Sequence, residues 1–248
     1  MLRYFLELSY KGTAYSGFQV QSNANSIQTE IEKAFHIYFR RPVAMTGASR
    51  TDAGVHARQN YFHFDFEEEI PGEAVYRLNA ILPADICIRS IREVPVDAHC
   101  RFDAQSREYW YYIYGRKDAF LDDRAYYYPY NMDWDKLREV ARRIKGYNEF
   151  SSFSKRRTQV KHFRCIVFES GWREEGDCHI YHIRANRFLR GMVRGLTGTM
   201  LLVGRGIISI EDFEKIVEEK DSSKVNFNVP AKGLFLVSVQ YPGGNLKI

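Results

Sequence analysis

Arg50-Thr51-Asp52-Ala53-Gly54-Val55-His56-Ala57 sets an acid, a base and a tight-turn glycine between two segments that read as strands. Gly47-Ala48-Ser49 makes the approach flexible. Loops at strand ends are where a rigid scaffold presents reactive side chains. An Asp with an Arg two residues away can be kept ionised and aimed at a substrate. Asp-Ala-Gly is equally an ordinary turn, because Asp bonds its own backbone and Gly accepts positive φ. The loop alone does not choose between these readings.

A second set of candidate residues is basic. Lys155, Arg156, Arg157, Lys161 and Arg164 fall in one short segment without an acid, and Cys178 to Ile210 holds five arginines and no carboxylate. The net charge is only +5, so the distribution matters more than the total. One-sign patches suit a phosphate backbone, although a solvated basic face has the same composition. Arg187, Arg190 and Arg194 recur at i, i+3 and i+7, a stripe on a helix expected over 187–202. Gly191, Gly195 and Gly198 oppose that helix by propensity, which points to close backbone packing or close substrate approach.

The thiols Cys87, Cys100, Cys165 and Cys178 form no C-x-x-C pair, and buried thiols in a reducing compartment are the expectation. Cys178-His179-x-x-His182 is the one metal-like cluster, but on a strand His179 faces away from the other two. No apolar run reaches membrane-spanning length, and the first residues read as a strand rather than a secretory signal. A cytoplasmic protein is expected.

The elements that position these residues form a repeated pass. Leu2 to Tyr10 alternates as a strand, and Ile27, Ile31, Phe35 and Tyr38 recur at helical spacing, with Asn25 and Gln28 as reciprocal caps. A short strand at 43–46, the Asp52 loop and a strand at 59–66 follow. A helix with Val75, Leu78 and Leu82 on one side ends at Pro83, and a strand runs over 86–91. This is β-α-β-β-α-β, the split βαβ unit. The second pass has an aromatic strand at 107–114, a helix capped by Asp133, strands at 163–172 and 178–185, the arginine helix, a helix at 211–219 and a strand at 234–241. The fold class expected is α+β: two similar halves, 1–104 and 105–248, whose mostly antiparallel sheets meet at a central cleft. On strand 107–114, Tyr109 and Tyr111 face one way and Trp110, Tyr112 and Tyr114 the other. Most should be core, and one at a cleft edge can stack on a base. Tyr126-Tyr127-Tyr128 reads as loop filler.

Ordered blocks along nearly the whole chain resemble one family, the TruA-type tRNA pseudouridine synthases. Tyr15-Ser16-Gly17-Phe18-Gln19-Val20-Gln21 is similar to its N-terminal element, and the Asp52 octet resembles its catalytic loop. Asn79 to Ile86, Arg101-Phe102-Asp103-Ala104 with Arg107-x-Tyr109-x-Tyr111, Phe150 to Phe153, Asn186 to Arg194, and Gly233-Leu234-x-Leu236 follow in the family's order. Three positions depart from it: Phe18 stands for a usual Trp, Ser49 for a common Gly, and Val20 for a polar or basic residue. The resemblance implies the pseudouridine synthase fold, a homodimer, and tRNA as partner, modified in the anticodon stem-loop at positions 38–40. It implies Asp52 as the catalytic carboxylate, Tyr109 against the target base, Arg194 as the cation that keeps Asp52 ionised, and Arg50 beside the flipped nucleotide. Moving uracil from N1 to C5 attachment needs no redox change, metal or nucleotide energy source, so no cofactor is expected.

Overall fold

The computed structural model describes residues 1–155, 160 and 162–243. Arg156, Arg157 and Lys161 of the basic segment lie outside the described residues. The chain divides into two compact units, one of 1–105 and 235–248, the other of Ser106–Leu234.

The first unit follows the expected β-α-β-β-α-β order: β1 (Leu2–Tyr10), α1 (Ile27–Phe39), β2 (Thr46–Gly47), β3 (His56–Phe66), α2 (Ala74–Ile81) and β4 (Ile86–Val94). β1 is central and pairs antiparallel with β3 and β4. The far edge of β3 is shared. Phe62 and His63 pair with β2, while His56 and Ala57 pair in parallel with Phe235 and Leu236 of the last strand (Leu234–Gln240). The sequence reading places that strand in the second half; the hydrogen bonding puts it on the first unit's sheet from Phe235 onward.

Alternation along β3 builds two aromatic layers. Phe62, Phe64 and Phe66 face the helices, with Phe64 edge-on to Phe35 at 5.1 Å and Phe66 against Phe39 at 4.7 Å. On the other face Tyr61 and His63 join Phe5, and Tyr241 packs on both Phe5 and Tyr61. α1 starts at Ser26, whose hydroxyl accepts from the Thr29 amide at 3.1 Å. The expected Asn25–Gln28 box does not form. Gln28 instead donates to Glu32 and to the Met45 carbonyl, tying the helix to the approach of β2. α2 stops where Leu82 turns extended (ψ 150), as a residue before proline must.

The second unit holds β5 (Ser106–Tyr114), β6 (Tyr126–Tyr127), α3 (Trp134–Ile144), β7 (Val167–Glu175), β8 (Cys178–Ala185), α4 (Met192–Gly204) and α5 (Ile210–Glu218). Its three long strands run in the order β5-β8-β7, each pair antiparallel. The three strands thus repeat the spatial order of β1, β3 and β2. Asp133 caps α3 through the Lys136 amide at 3.1 Å, as expected. Tyr126 and Tyr127 are not loop filler; they bridge in parallel to Ile113 and Tyr114. The last strand, Leu234–Gln240, is β9. The architecture is α+β with mostly antiparallel sheets. Among the described residues no helix is long and apolar enough to cross a membrane.

α4 departs most from expectation. It begins at Met192, not Arg187, because Gly191 takes a left-handed φ of 76° and breaks any continuation towards Arg187 and Arg190. There is therefore no helical arginine stripe. Nearly every residue of α4 is buried, Gly195, Thr197, Gly198 and Thr199 included. The glycines admit a neighbouring chain segment. A Cβ on Gly198 would sit 2.2 Å from the Asn226 carbonyl oxygen, and one on Gly195 would sit 2.8 Å from the Phe227 ring. Asn226 completes the seam, its amides bonding the Thr199 hydroxyl and the Gly198 carbonyl. Gly198→Ala is expected to lose about 1–3 kcal/mol by overpacking against backbone, despite its better helix propensity. A thermal melt that drops by several degrees checks this.

His63 supplies a pH dependence. Burial, then the neighbouring His99 and Arg3, lower its pKa from 6.5 to about 4. The unfolded chain therefore takes up a proton that the folded chain refuses. This contribution to stability is complete above pH 6.5 and is lost as pH falls through about 4. Urea midpoints should drop between those limits, and His63→Gln should flatten the slope.

Candidate active site

The Asp52 loop is a β-turn whose parts are fixed from beneath. The Val55 amide donates to the Asp52 carbonyl at 3.1 Å, and Gly54 takes φ 77°. That positive φ is the reason a glycine follows Asp-Ala. Asp52 itself is half-buried, Thr51 is buried and Arg50 is exposed. The turn reading therefore holds for this loop, with Asp52 at its first position.

The segment leaving β1 runs hard against it. A Cβ on Gly12 would lie 2.0 Å from the Val55 carbonyl oxygen. One on Gly17, which has φ 114°, would lie 3.1 Å from the Thr51 carbonyl oxygen and 3.5 Å from the Ala53 nitrogen. The Phe18 amide donates to the Thr51 carbonyl at 3.1 Å. Below, the Thr51 hydroxyl is 2.8 Å from the Tyr10 hydroxyl. The fully buried Asn60 donates to Tyr10 and to the Ser49 carbonyl, at 3.3 and 2.9 Å.

The motif's histidine has a packing role. His56 is buried, its Nδ1 accepts the Gly12 amide at 3.1 Å, and its ring stacks on Phe235 at 4.6 Å. Phe18 is 1% exposed and stacks on Phe62 at 4.5 Å. Its difference from the family's usual Trp therefore concerns packing under the loop. Ser49 is buried too, whereas Val20 is exposed.

Arg50 and Asp52 belong to the first unit, Tyr109 and Arg194 to the second. Tyr109 is half-buried on β5, its ring edge-on to Phe188 at 5.0 Å. Tyr111, on the same face, is buried and donates to the Pro230 carbonyl at 2.7 Å. Arg194 sits in the first turn of α4. Its Nε and Nη2 donate to the Val229 carbonyl at 2.9 and 2.7 Å, and Nη2 reaches the Phe227 carbonyl at 3.5 Å. Arg194 is thereby clamped to the segment that the α4 glycines admit. The other arginines of 178–210 scatter. Arg184 pairs with Glu169, Arg187 reaches His162 at 3.1 Å, and Arg205 lies over Tyr130 at 4.0 Å.

As its strand spacing implies, Cys178-His179-x-x-His182 does not converge: His179 stacks on Trp134 at 3.7 Å, on the opposite face of β8 from Cys178 and His182. Among the described residues His63, His99 and Cys100 bring donor atoms within 4.8 Å. Their chemistry opposes an ion. His99 Nδ1 accepts the Arg101 and Phe102 amides, so the proton of the neutral ring is on Nε2. The Cys100 thiol bonds the Thr46 carbonyl at 3.2 Å. The cluster reads as hydrogen-bonded core. Cys100, Cys165 and Cys178 are buried as expected, and Cys87 is exposed. Burial pushes the Cys165 thiol up to about 11.

A family model described as tRNA pseudouridine synthase matches residues 8–103 and 140–242. The chain belongs to the tRNA pseudouridine synthase family. Curated members of that family match almost end to end. "tRNA pseudouridine synthase A" of Parabacteroides distasonis is 45% identical, over 98% of this chain and 97% of its own. The Bacteroides thetaiotaomicron protein of that name is 42% identical over 98% and 91%. One from Staphylococcus aureus is 34% identical over 96% and 90%. The pseudouridine synthase match spans both compact units, and the Asp52 turn lies within its first segment.

Tyr10 and Asn60, which carry the turn, were not singled out by sequence. The only signal for Asn60 is a carboxamide among the aromatics of β3. Gly17→Ala tests the tight approach. It should cost about 1–3 kcal/mol, because a side chain is strained at that φ, and a urea denaturation midpoint measures it.

Proposed function

We propose that this chain isomerises uridine to pseudouridine in the anticodon stem-loop of tRNA, at positions 38–40, with Asp52 as the catalytic carboxylate. The observation that carries the reading is near-full-length identity of 45% to a protein named tRNA pseudouridine synthase A. The Asp52 turn, half-buried and braced by Thr51, Tyr10 and Gly17, supports it. In the reaction the N1–C1′ bond breaks, uracil rotates and a C5–C1′ bond forms. C5 loses its proton and N1 gains one, so atoms balance without a cofactor.

The target uridine lies inside a stem-loop and must leave the stack, at a cost of a few kcal/mol. Arg50, exposed beside the turn, is the side chain proposed to fill the vacated place or grip the flipped nucleotide's phosphate. Tyr109 is the ring proposed to stack on the target base. Arg194 is the cation proposed to keep Asp52 ionised. The working enzyme is proposed to be a cytoplasmic homodimer with tRNA as its partner.

Purified protein incubated with unmodified tRNA, followed by position-resolved pseudouridine mapping, tests the reading. The wild type should form product at positions 38–40. Asp52→Ala should bind tRNA with unchanged affinity and form none. Full activity in that variant would end the mechanism. tRNA binding without product from the wild type would make the chain a non-catalytic RNA binder. Product only at other uridines would mean a different target.

A further inference from the structure

The Asp52 turn is anchored to the sheet by polar side chains that no apolar packing argument requires. Asn60 sits in β3 with no exposed surface. Its Oδ1 accepts the Tyr61 amide at 2.9 Å, which fixes the orientation of the carboxamide. The Nδ2 group then faces the loop, bonding the Ser49 carbonyl at 2.9 Å and the Tyr10 hydroxyl at 3.3 Å. Tyr10, at the end of β1, passes the connection to the Thr51 hydroxyl at 2.8 Å. Ser49 and Thr51 flank Arg50, and Thr51 precedes Asp52. One buried carboxamide therefore holds the backbone before Arg50 and, through one phenol, the side chain just ahead of Asp52.

We infer that Asn60, Tyr10 and Thr51 form a positioning relay that sets the aim of Asp52, so that they act on the catalytic rate rather than on tRNA affinity. The inference rests on the function proposed above. Its physical basis is that buried polar groups are costly unless bonded, and once bonded they specify one geometry. The donors and acceptors here form a chain. Asn60 Nδ2 donates to Tyr10 Oη, and the phenol and the Thr51 hydroxyl share a hydrogen bond in which either can donate. Loss of any link releases the Thr51 side chain, while the Phe18 bond to the Thr51 carbonyl and the turn's own bond from Val55 to the Asp52 carbonyl remain. A carboxylate that wanders by about 1 Å can lose about a hundredfold in rate.

Thr51→Val removes the hydroxyl and keeps the shape, Tyr10→Phe removes only the phenol oxygen, and Thr51→Ser restores a hydroxyl. All three avoid Asn60, whose replacement threatens folding. Single-turnover pseudouridine formation, tRNA affinity and thermal melts are measured on the full chain. The expected result is a rate reduced by about tenfold or more in Thr51→Val and in Tyr10→Phe, with affinity within about twofold of wild type. Thr51→Ser should recover most of the rate. The Tyr10→Phe/Thr51→Val pair should be no slower than the slower single variant, because the two share one interaction. Undiminished rates in folded variants would overturn the inference, as would losses of rate and affinity in equal proportion, or no recovery in Thr51→Ser. These outcomes are read against a wild type that makes pseudouridine. A wild type that makes none overturns the functional reading and this inference with it.

Discussion

Two absent side chains govern the candidate site. Where the chain leaves β1, Gly12 and Gly17 bring its backbone to within contact of Val55, Thr51 and Ala53, and any Cβ would intrude. The Phe18 amide and the Tyr10 hydroxyl bond Thr51 from this same segment. Phe18 then fills the space between the loop and Phe62. The Asp52 turn is therefore built against an element rather than left as a free excursion. That matters because a turn stabilised only by its own hydrogen bond samples many orientations. Here its neighbour removes them.

The second unit solves a related problem with the opposite material. α4 is buried nearly all round, and Arg194 is its one charged residue. A guanidinium in such a setting needs its donors satisfied. The Val229 and Phe227 carbonyls provide acceptors because Gly195 and Gly198 let the 225–229 segment lie against the helix. Glycines that weaken α4 by propensity thus hold its arginine in one rotamer.

The sequence made the first unit legible because its signals were local and agreed with one another. Alternation marked β1 and β3, and a Pro marked the end of α2; in the second unit Asp133 marked the start of α3 in the same way. What it missed depends on long-range geometry. Gly191 reads as a mild helix weakener, but its positive φ moves the start of α4 past Arg190, and with it the arginine stripe disappears. Ser26 rather than Asn25 caps α1, a one-residue choice that spacing does not make. β9 follows the second pass in the chain, and only its pairing with His56 and Ala57 reveals where it belongs. Asp52, Tyr109 and Arg194 were recognisable as residue types in motifs. Tyr10 and Asn60, which support the Asp52 turn, were not, because a buried hydrogen bond between residues 50 apart leaves no periodic trace.

The place of β9 also orders events in time. The first unit's sheet takes its last strand from residues 235–240, after all of Ser106–Leu234 has been made. At ribosomal rates that is a delay on the order of ten seconds. Throughout it, the stretch of β3 at His56 and Ala57, next to the Asp52 turn, stays an open edge. Phe235 is also missing from the face of His56. A nascent chain thus carries its motif long before it carries the strand that closes it. The strand beside the Asp52 turn gains this neighbour only once residues 235 and 236 have been made.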